Sequence, residues 1–123
     1  MAYLNDRVLD NGLTVLDTEA NRLDICSQEP ATYTQAITTY SLGNKTSPSV
    51  GAPTDRSPTG RKVVVAAISD GSTTGTGTAT HYALVDTVNS RLLAAGPVSV
   101  SKAVTPGNAF TLAAIDIGIP DPA

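Results

Sequence analysis

The sequence predicts an all-β fold: a single antiparallel β-sandwich or jelly-roll-like domain with a short N-terminal helix or arm. Three observations lead there. Thr and Val are abundant, and both favour a pleated, half-buried surface. Turn-forming residues recur about every ten positions, the spacing of short strands in a sandwich or barrel. Beyond the first twenty or so residues no long helical periodicity is present. A chain of 123 residues suits one domain and buries roughly two-thirds of its unfolded surface, enough for a core without a metal or disulfide staple. Residues 1–20 are read as the helix or arm and 21–123 as the sandwich.

The elements follow in order. Leu4, Val8, Leu9 and Leu13 recur at near-helical spacing behind Asn5 and Asp6 as caps, and Asn11-Gly12 is expected to end that helix. In NRLDICS, Leu23, Ile25 and Ser27 alternate with Arg22, Asp24 and Cys26, which predicts a strand with one buried face. Residues 29–60 carry four prolines and many turn formers, so a strand or two around Thr38 to Leu42 is expected within long loops. RKVVVAAIS reads as a strand buried on both faces and closed by a hairpin turn at Asp70-Gly71. TATHYALVD and SRLLAAGPV are two further strands joined by a short polar turn at Thr87 to Asn89. Pro106 to Asn108 form a turn, and AFTLAAIDIGI then sets Ile115, Ile117 and Ile119 on one side of a strand, with Asp116 and Gly118 on the other.

Charge narrows the partners. The net charge is −3, against the clustered Lys and Arg that nucleic acid requires. Asp6, Asp10, Asp17, Glu19, Asp24 and Glu29 make the first 29 residues acidic, while the remainder is close to neutral. Such a body packs beside copies of itself or another protein with little repulsion, and an ordinary solvated N-terminal face is the equal alternative. MAYLNDRVLD lacks the basic-then-apolar order of a signal peptide, and no apolar run approaches the eighteen residues of a membrane span. The expectation is a soluble protein with no membrane or small-molecule partner.

The sequence offers few groups for chemistry. His81 is the only histidine, with Ser72, Asp86 and Ser90 around it. On one strand His81 and Asp86 stand about 17 Å apart and on opposite faces, and no nucleophile elbow accompanies them. A small hydrolase using His81 is therefore the most distant of the functional readings. One His and one Cys do not build a zinc site, and Asp70 lacks the other carboxylates of a calcium loop. GTGTAT at Gly75 to Thr80 lacks the third glycine of a dinucleotide fingerprint and reads as a hairpin leading into a strand. Asn44-Lys45-Thr46 matches a glycosylation sequon, which has meaning only on a secretory route. Cys26 is read as a core residue, and Asp17 with Glu19 as a solvated face. No catalytic, cofactor or metal residue is assigned.

Taken together, NRLDICSQEP and ATHYALVDTVNSRLLAAGPVSVSKAVTPGNAFTLAA resemble a family of small structural proteins of tailed bacteriophages and prophages. There an early strand of the type xLHTADP precedes THxxIxD…LLxxGxLxxxxxVxxGxxxxxxA. Thr80, His81, Asp86, Leu92, Leu93, Gly96, Val104 and Gly107 fall on the matching positions. The likeness covers about half the chain, mostly residues 78–114. It departs from the family at LDICSQEP, where His and Thr are usual, and in the proline-rich middle. It implies a non-enzymatic virion component without cofactor, assembled in the bacterial cytoplasm. A capsid decoration or cement protein on the outside of the head is favoured, with the major capsid protein and copies of itself, as in a trimer, for partners. A tail- or fibre-associated protein is the alternative. With no Trp, one Phe and four Tyr, the chain is poor in the aromatic platforms expected of a sugar-binding fibre tip.

Overall fold

A computed structural model describes residues 6–120, with side chains from Asp10 onward. Helix α1, Asp6–Glu19, is followed by β1, Arg22–Cys26. A single π turn, Gln35–Thr39, then leads to β2, Ser41–Thr46, and β3, Thr54–Asp55. The rest is β4, Arg61–Val65; β5, Ile68–Thr73; β6, Gly77–Asp86; β7, Arg91–Val104; β8, Ala109–Leu112; and β9, Ile115–Ile119. All pairings are antiparallel. They form a curled six-stranded sheet in the order β7-β6-β1-β2-β5-β8 and a small sheet in the order β3-β4-β9. The all-β sandwich with an N-terminal helix is thus the observed class.

The main core lies between the two sheets and under α1. Leu13 and Leu16 of the helix meet Leu23, Ile25, Val63, Val65, Leu84 and Phe110. Each fully buried side chain of this kind contributes about 1.5–3 kcal/mol. This burial carries α1 straight through Asn11-Gly12, the expected stop. A Cβ on Gly12 would make an ordinary 3.6 Å contact with the Ile119 side chain, and the packing of Leu13 and Leu16 outweighs the roughly 1 kcal/mol cost of a helical glycine. Leu4 and Asn5 lie outside the described residues. An ion pair of Asp10 with Arg61, 2.8 Å, fixes the helix over β4.

Strand β1 is buried on both faces, not one. Leu23 and Ile25 enter the main core, Cys26 is covered by the segment before β2, and Asp24 is buried against Arg22 and Ser41. Ala36 of the π turn, with Tyr33, Ile37 and Tyr40, packs on Cys26, Ala83 and Val85 as a second core. The proline-rich region therefore supplies a lid as well as loops. Gln35 anchors it locally: its Oε1 accepts from Ala31 N at 2.8 Å, and its own N–H donates to Thr32 Oγ1 at 3.1 Å.

RKVVVAAIS is two strands, and Asp70-Gly71 is not a hairpin turn. β4 buries alternate residues, Val63 and Val65, in the small sheet. The chain crosses at Ala66-Ala67, and β5 continues through Asp70-Gly71 in the large sheet. Gly71 is required where it stands, because a Cβ there would come within 2.2 Å of the Phe110 ring. AFTLAAIDIGI likewise divides at Ala113-Ala114. The pairs Val65–Ile115 and Ile68–Leu112 keep one register across both crossings, so β4-β5 and β9-β8 form one bent two-stranded ribbon. GTGTAT is not a hairpin either. Residues 74–76 join β5 to β6, which are separated in the sheet by β2 and β1, the rest of GTGTAT opens β6, and Gly75 and Gly77 pass over Leu42.

The predicted β6–β7 hairpin is present. Asp86 organises its turn: its Oδ1 accepts from Val88 N at 2.9 Å and Asn89 N at 3.3 Å, and its Oδ2 from Asn89 Nδ2 at 2.8 Å. Those bonds, the Asn89 side chain first, hold the carboxyl below its ordinary value. The stabilisation is complete above the ordinary carboxylate range and disappears as pH falls through the lowered value. Asp86→Ala is therefore expected to lower the melting temperature at pH 7, with the gap to wild type closing below about pH 4 in thermal scans.

Candidate functional site

Ser72, His81, Asp86 and Ser90 do not converge. His81 and Asp86 sit at positions five apart on β6, about 17 Å of extended chain. Ser72 lies on β5 and is exposed. Ser90 closes the hairpin turn with a φ of 56°. Every acceptor position used by Asp86 serves that turn. His81 pairs across to Cys26 of β1 and Pro97 of β7. Its Nδ1 lies 2.8 Å from Thr80 Oγ1, and that hydroxyl donates to Ser27 O at 3.0 Å. A hydroxyl has one proton, so with it on Ser27 O, Nδ1 is the donor to Thr80. Thr80 and His81 thus clip β6 to the start of the lid.

Beside them is the one buried charged group that the residue pattern did not single out. Asp24 is wholly buried, with Arg22 bonding it in two places, Nε to Oδ1 at 2.7 Å and Nη2 to Oδ2 at 2.8 Å. Ser41 Oγ donates to Oδ2 at 2.7 Å. Burial pushes the Asp24 carboxyl up, opposed by the bonds from Arg22 and Ser41. Arg22 in turn is raised, chiefly by its bond to Asp24. Two residues apart on a strand place Arg22 and Asp24 on one face, which was the available signal. The Cys26 thiol is pushed to about 12 by burial and by Asp24, and its Sγ lies 3.6 Å from Ala36 O. It is a thiol at neutral pH and packs as a small apolar group.

Among the described residues no group of three or more His, Cys, Asp and Glu is placed to hold a metal ion. Asp17 is exposed, and Glu19 faces Arg91 at 3.6 Å. No helix among the described residues is long and apolar enough to cross a membrane.

A cleft of about 370 Å³ lies between β7 and the β8–β9 corner. Val98, Val100, Leu112 and Ile115 give it apolar walls, and Lys102 and Asp116 stand along it. Val100 is 66% exposed there. Two irregularities open the cleft. β7 carries three more residues than β6 between the pairs Ala79–Lys102 and His81–Pro97, so Val98 to Ser101 bulge from the ladder. β7 and β8 are consecutive strands, joined by the Thr105–Asn108 turn, yet they pair only with β6 and β5.

Comparison with protein-family models, with curated proteins and with solved structures returns no match to this chain.

Proposed function

We propose that this chain is a non-enzymatic structural protein of a tailed-phage particle, acting as a decoration protein that binds the outside of the head and stabilises it. The observation that carries this reading is what the residues of the phage resemblance do in the fold. Thr80 clips β6 to the lid, Asp86 builds the hairpin turn, and Gly96 lies under the Tyr82 ring. Gly107 takes a φ of 88° in the next turn. These positions maintain a long hairpin and its connection to β8. At the hairpin tip Val88 is 81% exposed.

The partners in this reading are the major capsid protein and further copies of the chain. Purified protein added to mature heads lacking it is expected to bind at hundreds of copies per head and to raise their resistance to heat or chelator. Quantitative mass spectrometry against the major capsid protein reads the copy number. Six to a few dozen copies, or binding to tails alone, would overturn the decoration reading in favour of a tail-associated protein. His81→Ala is expected to bind heads as wild type does.

A further inference from the structure

We propose that the cleft between β7 and β8–β9 is a receptor for an extended segment of a partner protein, which enters as an added strand and carries a carboxylate opposite Lys102. Consecutive antiparallel strands joined by a four-residue turn ordinarily share a ladder, and here they share none among the described residues. A single side chain stands in for it. Lys102 Nζ donates to Thr111 O at 3.2 Å and to Thr111 Oγ1 at 2.6 Å, reaching across the seam to a carbonyl on the unpaired edge of β8.

The reach of that lysine limits the width. A fully extended side chain adds roughly 6 Å from Cα to Nζ, so the edges at this point stand no more than about 9–10 Å apart. Strands that hold one strand between them are separated by about 9.6 Å, twice the spacing of neighbours. The gap therefore takes at most one strand; on its inner side, above Ile25 and Ala79, only about 10 Å³ is free, and the open volume of about 370 Å³ lies towards Val98 and the Ala113 to Asp116 corner. A segment of five or six residues spans the stretch from Lys102 to Val98.

Charge specifies the occupant. Lys102 is held by neutral oxygens, and among the described residues no carboxylate pairs with it. At the far end of the cleft stands Asp116, 61% exposed and bound to Lys62 at 3.1 Å. A complementary segment carries a carboxylate at the Lys102 end, a neutral or basic residue at the Asp116 end, and apolar side chains between them against Val98, Leu112 and Ile115. Edge addition of this kind takes affinity from main-chain bonds and specificity from alternate side chains. The inference does not depend on whether the protein sits on a head, since it concerns the strand and not its source, and the two experiments fail separately.

The test uses the full chain and blocked heptapeptides, KTVTVTE and its uncharged counterpart QTVTVTQ, with amide hydrogen exchange as the readout. KTVTVTE at up to millimolar concentration is expected to slow exchange on both sides of the seam, residues 98–104 and 109–116. It should do so at a concentration at least threefold lower than QTVTVTQ. Lys102→Glu, at an exposed position and checked for folding by circular dichroism, should reverse the preference and favour KTVTVTK. Unchanged exchange at millimolar peptide, protection on one edge only, or equal effects of charged and uncharged peptides would overturn the proposal.

Discussion

Arg22→Met is expected to lower stability by about 3 kcal/mol at neutral pH, the lower end of the range for breaking a buried ion pair, because the guanidinium is itself 25% exposed. The carboxylate left behind suffers most. Asp24 would keep only the Ser41 hydroxyl, at a wholly buried position. Its sign in pH is distinctive. Burial already holds this carboxyl above its ordinary value, so the folded state binds a proton more readily than the unfolded chain. Stability from this group is therefore greatest at low pH and falls as pH rises through the raised value. Removing Arg22 raises that value further. The deficit of the variant should be large at pH 7 and shrink on acidification towards pH 4.5, as read by urea denaturation at both values. A deficit independent of pH would show that lost packing of the arginine stem, and not the stranded charge, is responsible.

Leu84→Ala should cost about 3 kcal/mol, within the usual range for a leucine removed from a closed core. Leu84 is fully buried in the main core, on the face of β6 towards α1 and the small sheet. Its neighbour Val85 points the other way, into the core under the lid. Val85→Ala removes less volume and should cost about 2 kcal/mol. Urea denaturation of the two variants separates the cores: losses in the ratio of the carbons removed, three to two, would mean that the lid core bears as much of the stability per group as the main one, and equal losses that it bears more.

Period-two patterning made most of the strands legible. RLDIC, GTATHYALVD and the strand after Ser90 stand where alternation and turn residues place them, and Asp86 with the polar residues after it marked the hairpin. The misreadings share a cause: each turned on contact between residues far apart in sequence. Gly12 and Gly71 looked like stops because glycine often ends an element, yet the helix runs on through Gly12 under the packing of Leu13 and Leu16, and Gly71 makes room for Phe110. The strand crossings at Ala66-Ala67 and Ala113-Ala114 have no Gly or Pro to announce them. Alanine fits either sheet, so alternation runs through without a break. The lid was hidden by its prolines, which spoke for loops. At the cleft, Lys102 could be read as a strand residue, but its meeting with Thr111 depends on how far the sheet curls.

The bent ribbon of β4-β5 and β9-β8 has a consequence for how the molecule comes apart. The small sheet contains no strand with a life of its own: β3 is two residues long, and β4 and β9 are the outer halves of strands whose inner halves belong to the large sheet. Melting one sheet means fraying the ends of the other. Both sheets are thereby bound into one cooperative unit, and denaturation followed by circular dichroism and by tyrosine fluorescence should give a single coincident transition.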